Sequence, residues 1–258
     1  MNLQEKRLFL LDMDGTIYLG NNIFNYTLNF LNAVTKIGAK YIFLTNNSSK
    51  SRSEYLKKLQ SMQIPATETQ LITSTHTTAK YLQTHHANKL IYAMGTTAFC
   101  NELESYNLKI TRTLHPEIKV LATAYDPELT FKKLEDASIL LTKGVEDYIA
   151  TNPDLTCPTE FGYVPDCGSV AQMLKNATGK MPKFLGKPQP DMIYTALKQE
   201  NIPPEKAVII GDRQYTDIAC GINAGIDTIL VLSGETKTLN PAINKPTLTI
   251  QNVGELFR

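Results

Sequence analysis

The 258-residue chain is long enough for one large core or two modest domains, and 42% hydrophobic content is that of an ordinary globular protein. Its 26 Lys and Arg balance 25 Asp and Glu, so no global charge draws in nucleic acid or an anionic bilayer. No run approaches the roughly 20 apolar residues of a membrane span, and the first ten residues are too charged and short for a secretory leader. With Cys100, Cys157, Cys167 and Cys220 lacking a Cys-x-x-Cys pair, the expectation is a cytoplasmic protein with isolated thiols and no membrane or nucleic-acid partner.

The opening third alternates strand and helix signals. Arg7 to Leu11 is an apolar strand, and Phe24, Leu28, Leu31, Val34 and Ile37 recur at helical spacing over 24–37 until Gly38 ends the pattern. Tyr41 to Leu44 is a second buried strand; Ser51 or Ser53 then caps a helix carrying Tyr55, Leu56, Leu59 and Met62. A weak strand near 70–73 feeds a helix through Tyr81 and Leu82. This βαβα order predicts a parallel sheet.

The middle, 80–180, forms a second unit. Strands are expected at 90–93, 120–124 and 148–150, and helices at 97–106, 130–142 and 168–177. The segments 152–154, 157–158 and 164–166, punctuated by Pro153, Pro158 and Pro165, read as loops. The closing part repeats the opening grammar, with a helix begun at Pro190, a strand at 207–210, a helix at 215–223 and a strand at 228–232. The expected division is therefore a core of 1–79 with 181–258, interrupted by an inserted domain of 80–180.

Two acidic clusters stand at strand exits. Asp12 and Asp14 follow the first strand with no basic residue between them, and Asp212 and Asp217 follow the strand at 207–210. In an open parallel sheet such positions converge on one crevice. Four acids there would repel or take up protons, whereas oxygen donors of this kind suit a hard octahedral cation such as Mg²⁺. The four histidines, with only His85 and His86 adjacent, do not suggest a zinc site. Thr45 and Asn46 end the second strand, where hydroxyl, amide and backbone N–H groups can hold phosphate oxygens, and Lys187 can offset both phosphate and carboxylate charge. These groups permit Asp12 to attack phosphorus in line while Asp14 first protonates the leaving oxygen and then activates water.

Asp12-x-Asp14-Gly15-Thr16, Thr45-Asn46-Asn47, Gly186-Lys187-Pro188 and Gly211-Asp212-Arg213-x-x-Thr216-Asp217 together resemble the four motifs of the haloacid dehalogenase (HAD) superfamily, most closely its NagD and 4-nitrophenylphosphatase-like branch. The resemblance implies an α/β fold, a HAD-like Rossmannoid core with a parallel sheet and an inserted α/β cap domain. It implies Asp12 as nucleophile and Asp14 as acid/base. Asp12, Asp212 and the Asp14 carbonyl would ligate Mg²⁺, with Asp217 supporting them. Thr45, Asn46 and Lys187 would lie at the phosphate of a small phosphorylated metabolite. Related sequences carry a Pro-Gly-Ala-Gly type loop where this chain reads Pro165-Asp166-Cys167-Gly168. Asp166 would then discourage a second anionic group and Cys167 offer a softer surface to substrate; alternatively Asp166 caps a helix. The expected activity is hydrolysis of aryl, sugar or nucleotide monophosphates. A phosphotransferase or phosphomutase using the same aspartyl-phosphate, or a phosphoacceptor signalling module, are the competing readings. Exposed strand edges or apolar cap helices could support a homodimer.

Overall fold

The computed structural model describes residues 1–159 and 161–257. In chain order the first elements are β1 (Leu8–Asp12), β2 (Tyr18–Leu19), β3 (Asn22–Ile23), α1 (Thr27–Lys36), β4 (Lys40–Thr45), α2 (Arg52–Ser61) and β5 (Leu71–Thr73). There follow α3 (Ser74–His86), β6 (Leu90–Met94), α4 (Thr97–Ser105), β7 (Ile110–Thr111), β8 (Ile118–Thr123), α5 (Phe131–Lys143) and β9 (Asp147–Ala150). Next come β10 (Thr156–Thr159), β11 (Gly162–Pro165), α6 (Cys167–Thr178), β12 (Lys183–Phe184) and α7 (Asp191–Glu200). The chain closes with β13 (Ala207–Gly211), α8 (Ala219–Ala224), β14 (Asp227–Val231) and β15 (Leu248–Ile250).

These elements group into two compact units. One comprises Met1–Thr45, Leu56–Ile72 and Lys187–Arg258; the other comprises Asn46–Tyr55 and Thr73–Gly186. The first is built on a six-stranded sheet ordered β15-β14-β13-β1-β4-β5, with parallel pairing from β15 through to β4. Sequence order runs outward from β1 toward β5 on one side and from β13 toward β15 on the other. That reversal beside β1 leaves a crevice beyond the carboxyl ends of the strands. Leu8, Leu10, Ile42, Leu44 and Ile209 form one face of this sheet and pack with Met192, Ile193 and Ala196 of α7. Near-continuous apolar strands are what a parallel sheet covered on both faces requires.

The second unit has its own parallel sheet, ordered β12-β9-β8-β6-β7. Ile91, Ala93, Val120, Ala122 and Ile149 pack with α3 and α4, whereas Tyr92, Met94, Leu121 and Tyr148 pack with α5 and α6. Ser51 is the cap expected for α2: its Oγ accepts from Glu54 N–H at 3.3 Å while Glu54 Oε2 accepts from Ser51 N–H at 2.8 Å, a reciprocal capping box.

Two sequence expectations require correction. The segments around Pro158 and Pro165 are strands of an antiparallel ribbon, β10 with β11, pairing Thr156 with Pro165 and Pro158 with Tyr163. A two-stranded ribbon leaves each strand an outer edge, where a residue without an N–H costs no ladder bond. The helix expected over 215–223 instead opens as a π-turn at Gln214–Ile218 before α8. Among the described residues no helix is long and apolar enough to cross a membrane.

Candidate active site

Strand register places the first unit's acids. Leu11 is opposite both Ile210 of β13 and Phe43 of β4, and Asp12 is opposite Leu44. Asp12 and Thr45 therefore leave adjacent strands at nearly the same level, with Gly211 and Asp212 on the other flank. After β1 the chain folds sharply, the Met13 carbonyl accepting from Thr16 and Ile17 N–H at 3.2 and 2.9 Å. Gly15 is required twice over in this turn: its φ is +85°, and a Cβ would overlap Asp212.

The π-turn sends Asp217 back toward the strand end. The Arg213 carbonyl accepts from both Asp217 and Ile218 N–H, and Asp217 Oδ2 accepts from Arg213 N–H at 3.1 Å. Single π-turns of this kind frequently mark functional sites. Lys187, 2% exposed, donates through Nζ to Asp12 Oδ1 and Asp217 Oδ1, both at 2.6 Å, and to the Leu44 carbonyl at 3.4 Å. One oxygen from each of Asp12, Asp212 and Asp217 lies within 4.8 Å of the others.

Three clustered carboxylates, two of them paired with one ammonium, leave excess negative charge, and the titration shifts register it. Burial, set against the Lys187 charge and reinforced by Asp217, pushes Asp12 up to about 7. Burial, then Asp12 and Asp217, push Asp212 well above the ordinary carboxylate range. Burial pulls the Lys187 ammonium down, but Asp12 and Asp217 more than reverse this. Asp14 lies outside the trio; burial raises it, while the Lys58 charge opposes the rise.

The donor set fits a divalent cation. Asp212 Oδ1 is buried without a hydrogen-bond partner, although Asp212 Oδ2 accepts from Glu235 N–H. An orphaned carboxylate oxygen facing two further acids is a costly arrangement that an oxygen-loving cation would relieve. Asp217 differs, since Lys187 and Arg213 engage both of its oxygens.

Of the remaining expected residues, Thr45 ends β4 and is 8% exposed. Asn46 belongs to the second compact unit, where its Nδ2 donates to Asp154 Oδ2 at 2.7 Å. Asp166 is the N-cap of α6, accepting from Cys167 N–H and from Asn152 Nδ2 at 3.2 Å. Cys167, expected to offer a soft surface to substrate, has no exposed surface; its thiol contacts the Thr123 carbonyl at 3.7 Å. The reason is positional: the first residue of α6 turns inward against the sheet.

The segment 233–236 was not singled out by sequence. Ser233 Oγ donates to the Gly15 carbonyl at 2.7 Å, and Glu235 and Thr236 N–H groups donate to Asp212. Its only signal is Ser233-Gly234, a turn dipeptide following a strand.

Comparison with known proteins identifies the family. A haloacid dehalogenase-like hydrolase model matches residues 9–109, and a second HAD-like hydrolase model matches 184–256. An acid sugar phosphatase of Staphylococcus aureus is 30% identical, covering 98% of this chain and 97% of the relative. The crystal structure of a 4-nitrophenylphosphatase from Thermotoga maritima superposes with a TM-score of 0.91 at 34% identity, covering 98% of this chain and 97% of that one. A glycerol phosphate phosphatase from Mycobacterium tuberculosis in complex with calcium gives a TM-score of 0.87 at 27% identity, covering 98% and 75% of the two chains. The chain belongs to the haloacid dehalogenase-like hydrolases, in their NagD and 4-nitrophenylphosphatase-like branch, and is a phosphoric monoester hydrolase.

Proposed function

We propose that the protein is a Mg²⁺-dependent phosphatase that hydrolyses small phosphomonoesters, sugar and aryl phosphates first among them, through a phosphoryl group carried on Asp12. The observation that carries this reading is the cluster of Asp12, Asp212 and Asp217, the first and last paired with Lys187, with Asp212 Oδ1 lacking a partner. The relatives' activities toward sugar and nitrophenyl phosphates support the substrate class. The reading takes 80–180 as an inserted cap on a core of 1–79 and 181–258; the second family match, 184–256, begins close to the proposed return to the core.

In the first step an Asp12 carboxylate oxygen attacks phosphorus, and the ester P–O bond breaks as Asp14 delivers a proton to the departing alcohol oxygen. Burial pushes the Asp14 carboxyl above its ordinary range, a direction that favours the protonated form this step uses. In the second step Asp14, now ionised, takes a proton from the water that attacks phosphorus; the bond to Asp12 breaks and orthophosphate leaves. Lys187 fixes the Asp12 carboxylate and counters charge on the phosphoryl oxygens, which Thr45 and the N–H groups at the end of β4 also receive. Asp12, Asp212 and the Asp14 carbonyl would hold a hard divalent cation, which would supply the neutralisation that lets two anions meet. Asp217 acts indirectly, by orienting Lys187.

Phosphate release from 4-nitrophenyl phosphate and a panel of sugar and nucleotide monophosphates, with Mg²⁺ or EDTA and beside Asp12→Asn, tests this. Metal-dependent release lost in Asp12→Asn is expected. Release that requires an added alcohol acceptor would indicate a transferase or mutase, and a lasting phosphoprotein without turnover would indicate a phosphoacceptor module.

A further inference from the structure

Asn46, the residue after Thr45, is held from two directions. Its Nδ2 donates to Asp154 Oδ2 at 2.7 Å, and its backbone carbonyl accepts from Ser74 Oγ at 2.6 Å. Asp154 is itself pinned and only 4% exposed: Oδ2 also accepts from Asn152 Nδ2 at 2.8 Å, and its carbonyl accepts from Gly168 N–H at 2.8 Å. Gly186, the residue before Lys187, closes on the same place. Its N–H donates to the Thr151 carbonyl at 2.7 Å, and a Cβ would come within 2.5 Å of that oxygen and 2.6 Å of Asn46 Oδ1. The chain neighbours of Thr45 and Lys187 thus rest on one loop, 151–154.

A buried carboxylate is an expensive way to hold an amide, because desolvating it costs several kcal/mol. What it provides is direction. An ionised carboxylate only accepts, so the Asn46 carboxamide must turn its NH₂ toward Asp154 and its oxygen away, and a charged acceptor holds that orientation about twice as strongly as a neutral one. With the carbonyl also tied to Ser74, the backbone at residue 46 has little freedom, which is the preorganisation a phosphate-facing N–H needs. We propose that Asp154 is a positioning residue which, through Asn46, sets the Thr45–Asn46 turn for phosphate binding. The inference rests on the phosphatase reading and extends it to a residue that touches no reacting atom.

A mutant cycle tests it. Asp154→Asn should lower kcat/KM and weaken competitive inhibition by inorganic phosphate by about 10- to 100-fold, the range for one hydrogen bond to a charged group. In an Asn46→Ala background the same substitution should cost less than about threefold, because its target is gone. Asp166→Asn, which joins the same network through Asn152, should show no such coupling. Equal Asp154→Asn penalties in the two backgrounds would overturn the proposal. Should Asp154→Asn melt early, Ser74→Ala removes the other restraint on Asn46 and must weaken phosphate inhibition in the same direction; unchanged inhibition there also counts against it. The Asn46 side-chain amide resonances, which need no turnover, should move in Asp154→Asn, and unmoved resonances would refute the link. A wild-type protein that releases no phosphate would instead overturn the phosphatase reading alone.

Discussion

The two compact units each bury a cluster of acids, and they resolve the problem in opposite ways. In the second unit, Asp154 and Asp166 are answered by the chain itself: Asn46, Asn152 and the first turn of α6 supply donors at fixed positions. In the first unit, Lys187 pairs with Asp12 and Asp217, and Asp212 Oδ1 receives nothing. Donors built into the chain hold the second unit's acids in place, whereas the first unit's excess of negative charge is poised for an external cation and an anionic substrate. Burial of carboxylates alone therefore does not mark a catalytic centre; unneutralised charge gathered at a strand-end crevice does.

The largest effect that would break this contrast belongs to Asp212→Asn. Removing this proposed cation ligand should reduce kcat/KM by at least about 10³-fold, a loss of roughly 4 kcal/mol in transition-state stabilisation. At pH 8 without metal the same variant should melt higher than wild type, because a neutral isostere replaces a crowded buried acid and still accepts from Glu235 N–H. Lower melting of the metal-free variant would show that the cluster is not under the strain its charges imply.

A pH series sharpens the comparison. Asp12 has its folded pKa raised to about 7 from an ordinary value of 3.8, so the folded state holds a proton that the unfolded chain has lost. The associated stabilisation is complete below pH 3.8 and vanishes as pH rises through 7. Metal-free protein should lose melting temperature between pH 5 and 8, and Mg²⁺ should restore it increasingly over that interval, since cation binding favours the ionised acids. Differential scanning fluorimetry at fixed ionic strength reads both slopes; a Mg²⁺ shift that shrinks with rising pH would contradict the assignment.

The second unit supplies a counterpart with the opposite sign. Burial, then repulsion from Arg52 and Lys80, lowers His76 to about 3, and neither ring nitrogen has a partner. Here the unfolded chain binds the extra proton, so the neutral imidazole's contribution is complete above pH 6.5 and is lost as pH falls toward 3. The linkage amounts to about 2 kcal/mol between pH 6.5 and 5. His76→Gln should flatten that acid limb in urea unfolding and leave the alkaline limb, set by Asp12, unchanged.

How much of this was legible depended on whether each feature is local. The apolar runs of β1, β4 and β13 announce buried parallel strands, and acids at their exits announce the crevice, because both follow from a period and a position. Gly20-Asn21, the two-residue link between β2 and β3, also carried a hairpin signal, but strands of two residues leave no alternation to read. Pro158 and Pro165 misdirected the reading since tolerance of proline depends on which edge of a strand is free, a tertiary fact. The tie between Asn46 and Asp154 spans 108 positions, and no spacing rule encodes it.

The smallest effect concerns Asp166, read from sequence as either a substrate-excluding acid or a helix cap. Its backbone is extended, its carboxylate accepts from the first N–H of α6, and its residue is 5% exposed, all of which belong to a cap. Asp166→Ala should therefore cost about 1–2 kcal/mol of stability, the range for losing an N-cap acceptor, and leave the ranking of phosphomonoesters by kcat/KM unchanged. A reordered ranking with unaltered stability would return Asp166 to the substrate side. The outcome discriminates because the two roles move different observables: a cap acts through the folding equilibrium, equally for every substrate, whereas an excluding charge acts only on substrates carrying a second anionic group.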